Sequence, residues 1–343
     1  MATIKLHSYI GLLAASDGME IFIEGKQLEV TLTKRTAFAS YECEGPHQIQ
    51  IRLRKAVDAE TVSVLPFRHA KDFHVSGREI RIELRGPDYL CVEAPGHPPL
   101  FIYANAVMKS VPEGPGVRIF EAGRCHDVGE VWVRDNETIW IEAGAVVRGS
   151  IRVDRAKGAV IGGYGVLDGS YWGERGIRRR SIVFDACDQC RLEGITMIHP
   201  TTWMVTVGAS NDTVVSGIKQ IGECRSSDGI DVVGSKRTRI RNCCLRNADD
   251  NIAIKALELD QTADPSQQEG SRPYSSFARD VEDLLVENCV LWNDRGGSAM
   301  EIGYETRCNS ISDIVFRDTD VLAVHNSGSV FGIHSGDRAR IEG

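Results

Sequence analysis

The amino-acid sequence predicts an all-β protein: an N-terminal β-sandwich-like domain followed by a right-handed parallel β-helix. Three observations carry that prediction. Residues 1–112 read as short strands separated by Gly, Pro and Asp. Beyond about residue 117 a strand-like phrase returns at spacings of roughly two dozen residues or twice that. A second phrase lies between its repeats and keeps its order and phase.

The N-terminal strand candidates are LEVTLT (28–33), IQIRLR (49–54), TVSVLPF (61–67), EIRIEL (79–84), YLCVEA (89–94) and PLFIYA (99–104). Several alternate apolar and polar residues, the mark of a strand with one buried face. Many short strands with turn residues between them predict an antiparallel sandwich. VPEGPG (111–116) is the expected boundary, dividing 1–112 from 113–343.

The first repeating phrase is an apolar residue, any residue, Gly, Asn or Asp, a small residue, any residue, an apolar residue. It occurs as LEGITM (192–197), VSGIKQ (215–220), IRNCCL (240–245), VENCVL (286–291) and FRDTDV (316–321), at offsets of 23, 25, 46 and 30. The second occurs as SIVF (181–184), MVTV (204–207), IDVV (230–233), IAIK (252–255) and MEIG (300–303). A unit this short has no room for a helix beside two or three strands. One coil of a β-helix per repeat accommodates it, with apolar residues stacked inside as ladders. Asn242 and Asn288, followed by Cys243 and Cys289, suit the tight bends. A second sandwich leaves the conserved order and phase of the two phrases unexplained.

Two insertions interrupt the period, GSYWGERGIRRRS (169–181) and ALELDQTADPSQQEGSRPYSSFARDV (256–281). Arg178, Arg179 and Arg180 read as a solvated loop. The second insertion is either a lid over a groove or a disordered excursion. The repeat is still running at RARIEG, so a polar C-terminal cap is expected in a missing piece, or the last coil is frayed.

Of the 343 residues 42% are apolar and 26% charged, which places the chain among ordinary globular proteins. The net charge of −8 argues against a nucleic-acid partner, which calls for a basic stripe. No run of about 18 apolar residues exists to span a membrane. The opening MATIKLHSYIGLLAAS is too short and too soon followed by Asp17 and Glu20 to read as a signal peptide. Ten cysteines without zinc spacing read as reduced core residues. The expected setting is cytoplasmic, or secreted if an export signal was removed.

The chemistry lies in the second phrase. Aligning SSDGIDVV (226–233) with ADDNIAIK (248–255) sets Asp228 one coil below Asp250, with Asp249 beside both. Neighbouring strands are about 4.8 Å apart, so the three carboxylates share one pocket. Crowding of like charge resists joint ionisation and leaves a proton on one member. Hydrolysis of a glycosidic bond uses such a set: one protonated carboxyl for the leaving oxygen, another carboxylate to activate water. The structural alternative is that these aspartates cap backbone N–H groups at coil bends.

These residues resemble the Asn-Thr-Asp and Asp-Asp motifs of glycoside hydrolase family 28, the polygalacturonases, and of family 49, the dextranases and isopullulanases of the same clan. GEVWVRDNETIWIEAGAVVRGSI (129–151) and GGYGVLDGS (162–170) are similar to the opening coils of those enzymes, and the likeness covers about residues 117–334. The N-terminal strands are similar to the sandwich that precedes the β-helix in family 49. The resemblance implies that Asp249 is the general acid, that Asp228 and Asp250 hold and activate water, and that the anomeric configuration inverts. It implies a polysaccharide or oligosaccharide substrate and no cofactor or metal.

The chain departs from the family pattern at two motifs. Ser298 and Ala299 stand where family 28 has the His and second Gly of Gly-His-Gly, and Gly332 and His334 where it has the Arg and Lys of Arg-Ile-Lys. Loss of the Arg removes a bidentate partner for a uronate carboxylate, which favours a neutral α-glucan such as dextran over polygalacturonate. Trp203 and Tyr304 are expected subsites, since aromatic faces stack on sugar rings. Trp203 and Trp292 serve equally well as packing. Thr202 and Ser298 are placed in the column of Asp228 and Asp250, and Asp231 and Glu301 on the neighbouring strand positions. Lys255, His334 and these four complete the candidate substrate-binding set. His199 reads as an ordinary hydrogen-bonded residue. A polygalacturonase, a Ca²⁺-dependent lyase and a non-catalytic carbohydrate-binding β-helix are the alternatives.

Overall fold

A computed structural model describes residues 2–69, 72–108, 110–258 and 274–336, and the backbone of 340–341. Contacts divide the chain into two units, Met1–Val111 and Pro112–Gly343, each with its own core. No described helix is long and apolar enough to cross a membrane.

In the first unit a six-stranded and a five-stranded sheet share one core. One sheet contributes Ile21, Ile23, Ile49, Ile51, Ile80 and Ile82, and the other Ala39, Tyr41, Leu90, Leu100 and Ile102. The strands His47–Leu53, Glu79–Leu84, Asp88–Glu93 and Leu100–Ala106 lie where alternation put them. The arrangement is not wholly antiparallel. Leu100–Ala106 pairs in parallel with Ala37–Glu44. That second strand (AFASYECE) is buried along seven of its eight residues and shows no alternation, so periodicity passes over it.

The second unit is a right-handed parallel β-helix. Each coil adds one rung to three parallel sheet columns. Two of those columns are joined through the long strand Val146–Asp154. Inside, Ile182, Val205, Ile230, Ile252 and Met300 form one continuous ladder, and Phe184, Val207, Val232, Ile254 and Ile302 form the next. Each such aliphatic side chain contributes about 1.5–3 kcal/mol on burial. The Gly, Asn or Asp of the first phrase turns the corner in every coil. Gly194, Gly217, Asn242, Asn288 and Asp318 have φ of 79°, 62°, 54°, 53° and 50°. That left-handed conformation is the one glycine adopts freely and Asn and Asp tolerate best. The turn thus selects the residue, and Cys243 and Cys289 follow it into the core.

None of the ten cysteines is in a disulfide, and seven are buried. The insertion at 169–181 begins with one helical turn, Ser170–Gly173, whose Trp172 is buried and donates its Nε1–H to Ser150 Oγ at 3.1 Å. Of the three arginines expected in a solvated loop, Arg178 is exposed and the other two are built into the wall. Arg179 is buried, pairing with Glu130 at 2.8 Å and lying over Trp172, and Arg180 lies over Trp203 and Tyr274. Most of the second insertion, residues 259–273, lies outside the described residues, as does the lid expected there. Its far end returns as a strap. Tyr274 and Phe277 pack on Val183, Ala209 and Val233, and Phe277 occupies the space above Gly208, where a Cβ would come within 2.2 Å of the ring.

Candidate active site

The site is a corner of the β-helix, where each coil passes from one sheet column to the next. Strand register places Val205, Ile230, Ile252, Met300 and Phe331 on successive rungs. Two residues earlier in each coil the column reads Trp203, Asp228, Asp250, Ser298, Ser329. Backbone bonds Met204 N to Asp228 O, Gly229 N to Asp250 O, Asn251 N to Ser298 O and Ala299 N to Ser329 O carry the ladder through this corner. Trp203, not Thr202, is therefore the neighbour of Asp228. Thr202 is buried and its hydroxyl accepts a bond from Arg178 at 3.1 Å.

Asp228, Asp249 and Asp250 converge so that one oxygen of each lies within 4.8 Å of the others. One water making two hydrogen bonds of about 2.7 Å bridges oxygens at that spacing. Ser298 N–H donates to Asp250 Oδ1 at 2.6 Å, and the amide of Asp250 donates to Asp249 Oδ1 at 3.1 Å. Gly297, with φ +70°, closes over the pair. A Cβ there would stand 2.5 Å from Asp249 Oδ1 and 2.6 Å from Asp250 Oδ1, so only glycine leaves both carboxyls room.

Lys255 supplies the counter-charge. Its Nζ lies 2.7 Å from Asp228 Oδ2 and 3.0 Å from Asp231 Oδ1, and 4.3 Å from the centre of the Trp203 ring. Burial alone would lower the lysine's pKa. The carboxylates of Asp228, Asp231 and Asp250 outweigh it and hold the ammonium protonated. One positive charge does not neutralise three carboxylates. Burial, then repulsion from Asp228, raises Asp249. Burial raises Asp250 to about 7, helped by Asp228 and Asp249 and opposed by Lys255 and the Ser298 amide. Asp250 thus keeps its proton close to neutral pH.

Behind the carboxylates lies an amide network inside the coil that sequence reasoning missed. Gln220 Nε2 donates to Gly229 O at 3.0 Å, Asn247 Nδ2 to Gln220 Oε1 at 3.2 Å, and Asn251 Nδ2 to Asn247 Oδ1 at 2.9 Å. A Cβ at Gly229 would collide with Asn251 O at 2.3 Å and with both amide oxygens. This fixes the backbone between Asp228 and its strand. The one visible signal is a polar residue at an inward position: Gln220 shares a rung with Met197 and Leu245.

The cleft above the carboxylates has a volume of about 380 Å³. Trp203, Lys255, Ser298, Tyr304 and His334 line it, as the sequence placed them, together with Ser226, Gly297, Glu305, Ser327 and Ser329, which it did not. Tyr304 is 60% exposed and stacks on His334, with ring centres 4.3 Å apart and 15° between planes. Asp231 and Glu301 are fully buried and do not reach the cleft, a correction to their expected role as direct contacts. Asp231 acts on Lys255, and Glu301 holds His334 Nδ1 at 2.5 Å. Trp292 is buried against His325, and His199 bonds Asp168 at 3.1 Å.

A family model, glycosyl hydrolases family 28, matches residues 120–327, most of the β-helical unit and its carboxylate corner. The chain belongs to glycosyl hydrolase family 28. Over 158 residues, 42% of the chain, it is 29% identical to a probable polygalacturonase of Arabidopsis thaliana and spans about a third (34%) of that protein's length. Among solved structures it resembles the family 28 exopolygalacturonase of Yersinia enterocolitica, at 13% identity and TM-score 0.53, covering 99% of this chain and 75% of that one. It resembles Dex49A of Penicillium minioluteum at 12% identity and TM-score 0.53, covering 98% and 90%. At these identities the likenesses speak for the fold.

The departures from the family 28 pattern have a local explanation. Gly332 stands in register with Glu301, and a Cβ at 332 would come within 2.1 Å of Glu301 Oε2. The Glu301 carboxylate therefore fills space that a side chain at 332 would need, and from there it grips His334. Ser298 offers its amide to Asp250, and Ala299 turns wholly into the core.

Proposed function

We propose that this chain is an inverting glycoside hydrolase acting on a polysaccharide or oligosaccharide. One observation carries the reading: three carboxylates with one lysine meet at the floor of an open cleft. Asp249, the most exposed of the three, protonates the leaving oxygen. Asp228 and Asp250 hold the attacking water, and its proton passes to Asp250 as the carbon–oxygen bond breaks. Burial of the trio keeps a carboxylic acid available near neutral pH. Tyr304 offers a flat face for a sugar ring at the mouth.

The charge inventory supports a neutral sugar, with an α-glucan as the leading class. Among the described residues the basic side chains lining the cleft are Lys255 and His334. Asp228 and Asp231 engage the first, and Glu301 engages the second. A uronate would meet Asp249, Asp250 and Glu305 without a counter-charge of its own. Polygalacturonate is the second reading, favoured by the name of the Arabidopsis relative.

The test is incubation with α-glucans, pectins and aryl glycosides, reading new reducing ends and, by proton NMR, the first-formed anomer. Hydrolysis of a neutral glycan with inversion is expected. Products with ultraviolet absorbance and dependence on Ca²⁺ would point to a lyase, and binding without cleavage would end the enzymatic reading.

A further inference from the structure

Asp231 has no place in the chemistry described above. It is sealed from the cleft, and its oxygens accept no well-directed hydrogen bond among the described residues. It meets Lys255 Nζ as an ion pair at 3.0 Å, and Asp228 meets the same nitrogen at 2.7 Å. A buried carboxylate paired this loosely is costly, and a neutral residue of the same shape would pack as well. What Asp231 does is compete. One ammonium faces two carboxylates, and charge drawn to Asp231 is withheld from Asp228 and its two neighbours.

We propose that Asp231 is a positioning residue that acts through Lys255, dividing the ammonium's charge between itself and the cleft carboxylates. Its consequence for turnover rests on the hydrolase reading, but the arrangement itself can be tested without a substrate. Removing the anion at 231 gives Lys255 wholly to the cleft, and the trio then ionises more readily. Removing the cation at 255 has the opposite effect. The other charged groups around the pair stay in place in both variants: Asp228, Asp249 and Asp250 in the cleft, Glu305, whose field reaches Lys255, Glu301 one rung beyond Ala253, and Arg180 on Trp203. Burial pushes the Asp231 carboxyl up and the Lys255 ammonium pulls it down, so the charge at 231 depends on the same ammonium that meets Asp228.

The experiment is a ¹³C NMR titration of protein labelled at the aspartate carboxyls, with kcat and KM followed against pH on any glycan the protein cleaves. Asp231→Asn is expected to lower the trio's shared midpoint by about one pH unit, and Lys255→Met to raise it by about one to three. Activity limbs should move in the same opposite directions. The Asp231→Asn/Lys255→Gln double variant removes both charges, spares the fold an unpaired buried ion, and should titrate between the two single variants. Midpoints moving the same way, an unmoved midpoint in Asp231→Asn, or a double variant outside that range would overturn the proposal. Opposite midpoint shifts in a protein that cleaves no glycan would leave it standing while the hydrolase reading fails.

Discussion

Asp250→Asn should make the protein more stable at pH 8 and leave its stability unchanged at pH 4. Burial lifts the Asp250 carboxyl from 3.8 to about 7. Between those values the unfolded chain has released the proton and the folded chain still binds it. Folding stability therefore falls as pH rises from about 4, at about 1.4 kcal/mol per unit, and the loss is complete above about 7. The whole span amounts to about 4 kcal/mol, and relaxation of a site open to the cleft brings this to roughly 2–4 kcal/mol. Asparagine carries no charge at any pH, and its Oδ1 still accepts the Ser298 amide bond seen at 2.6 Å. At pH 8 the variant should gain roughly 5–15 °C in Tm, taking about 2–4 °C per kcal/mol for a unit of this size, and at pH 4 almost nothing. Thermal melts of both proteins at the two pH values, in one salt concentration, measure this. A variant that melts below the wild type at pH 8, or gains equally at both pH values, refutes the claim that this carboxylate is held in the fold at a cost.

Asp249→Asn should lower glycan cleavage by at least about a hundredfold, the scale of one general acid, while melting stays near that of the wild type. Retained activity would remove the acid assignment. In the wild-type pH–rate profile the acid limb should lie near 7, because Asp250 is raised to about 7 and must release its proton before it can accept one from water; full activity held down to pH 5 would contradict it. Tyr304→Ala should raise KM about tenfold with kcat within about threefold, since the ring offers binding area at the cleft mouth and no acid or base. Asn242→Gly should be neutral within a few tenths of a kcal/mol, and Asn242→Ala should cost about 1 kcal/mol, because φ is 54° there. Denaturant midpoints that rank the two variants the other way would argue against a corner set by backbone conformation.

The carboxylate corner was legible because a parallel β-helix turns spacing along the chain into adjacency in space. Asp228 and Asp250 are 22 residues apart, and Ile230 pairs with Ile252 across the same offset. Once the coil is recognised, two residues one period apart are neighbours about 4.8 Å apart, with no need to know the rest of the fold. The reading slipped where coil length changes. Val205 pairs with Ile230 at an offset of 25, so an alignment one residue off put Thr202 where Trp203 stands. Strand alternation also separated inward from outward side chains, which is why the aliphatic ladders were foreseen and the amide of Gln220, polar yet inward, was not.

What lies outside the coil is the harder question, and Asp231 and Glu301 illustrate it. Both point outward from their strands, and a sequence pattern equates outward with solvent or substrate. Here the outer face is itself a second interior. The returning strap seats Phe277 above Gly208, Tyr274 and Trp203 join the same apolar cluster, and Arg152, Arg180 and Lys255 lie against the aromatic faces of that wall. Whether an outward residue meets water depends on what lies over its strand: in one place a strap contributed by an insertion, which carries no period, and at Glu301 the ring of His334. A charged residue under such a cover must find a charged partner or give up its charge. Asp231 finds Lys255, and Glu301 finds His334. Both partners line the cleft. The covered layer therefore sets the charge of the groups that face the substrate, and substitutions there should change the pH dependence of the site without touching a sugar.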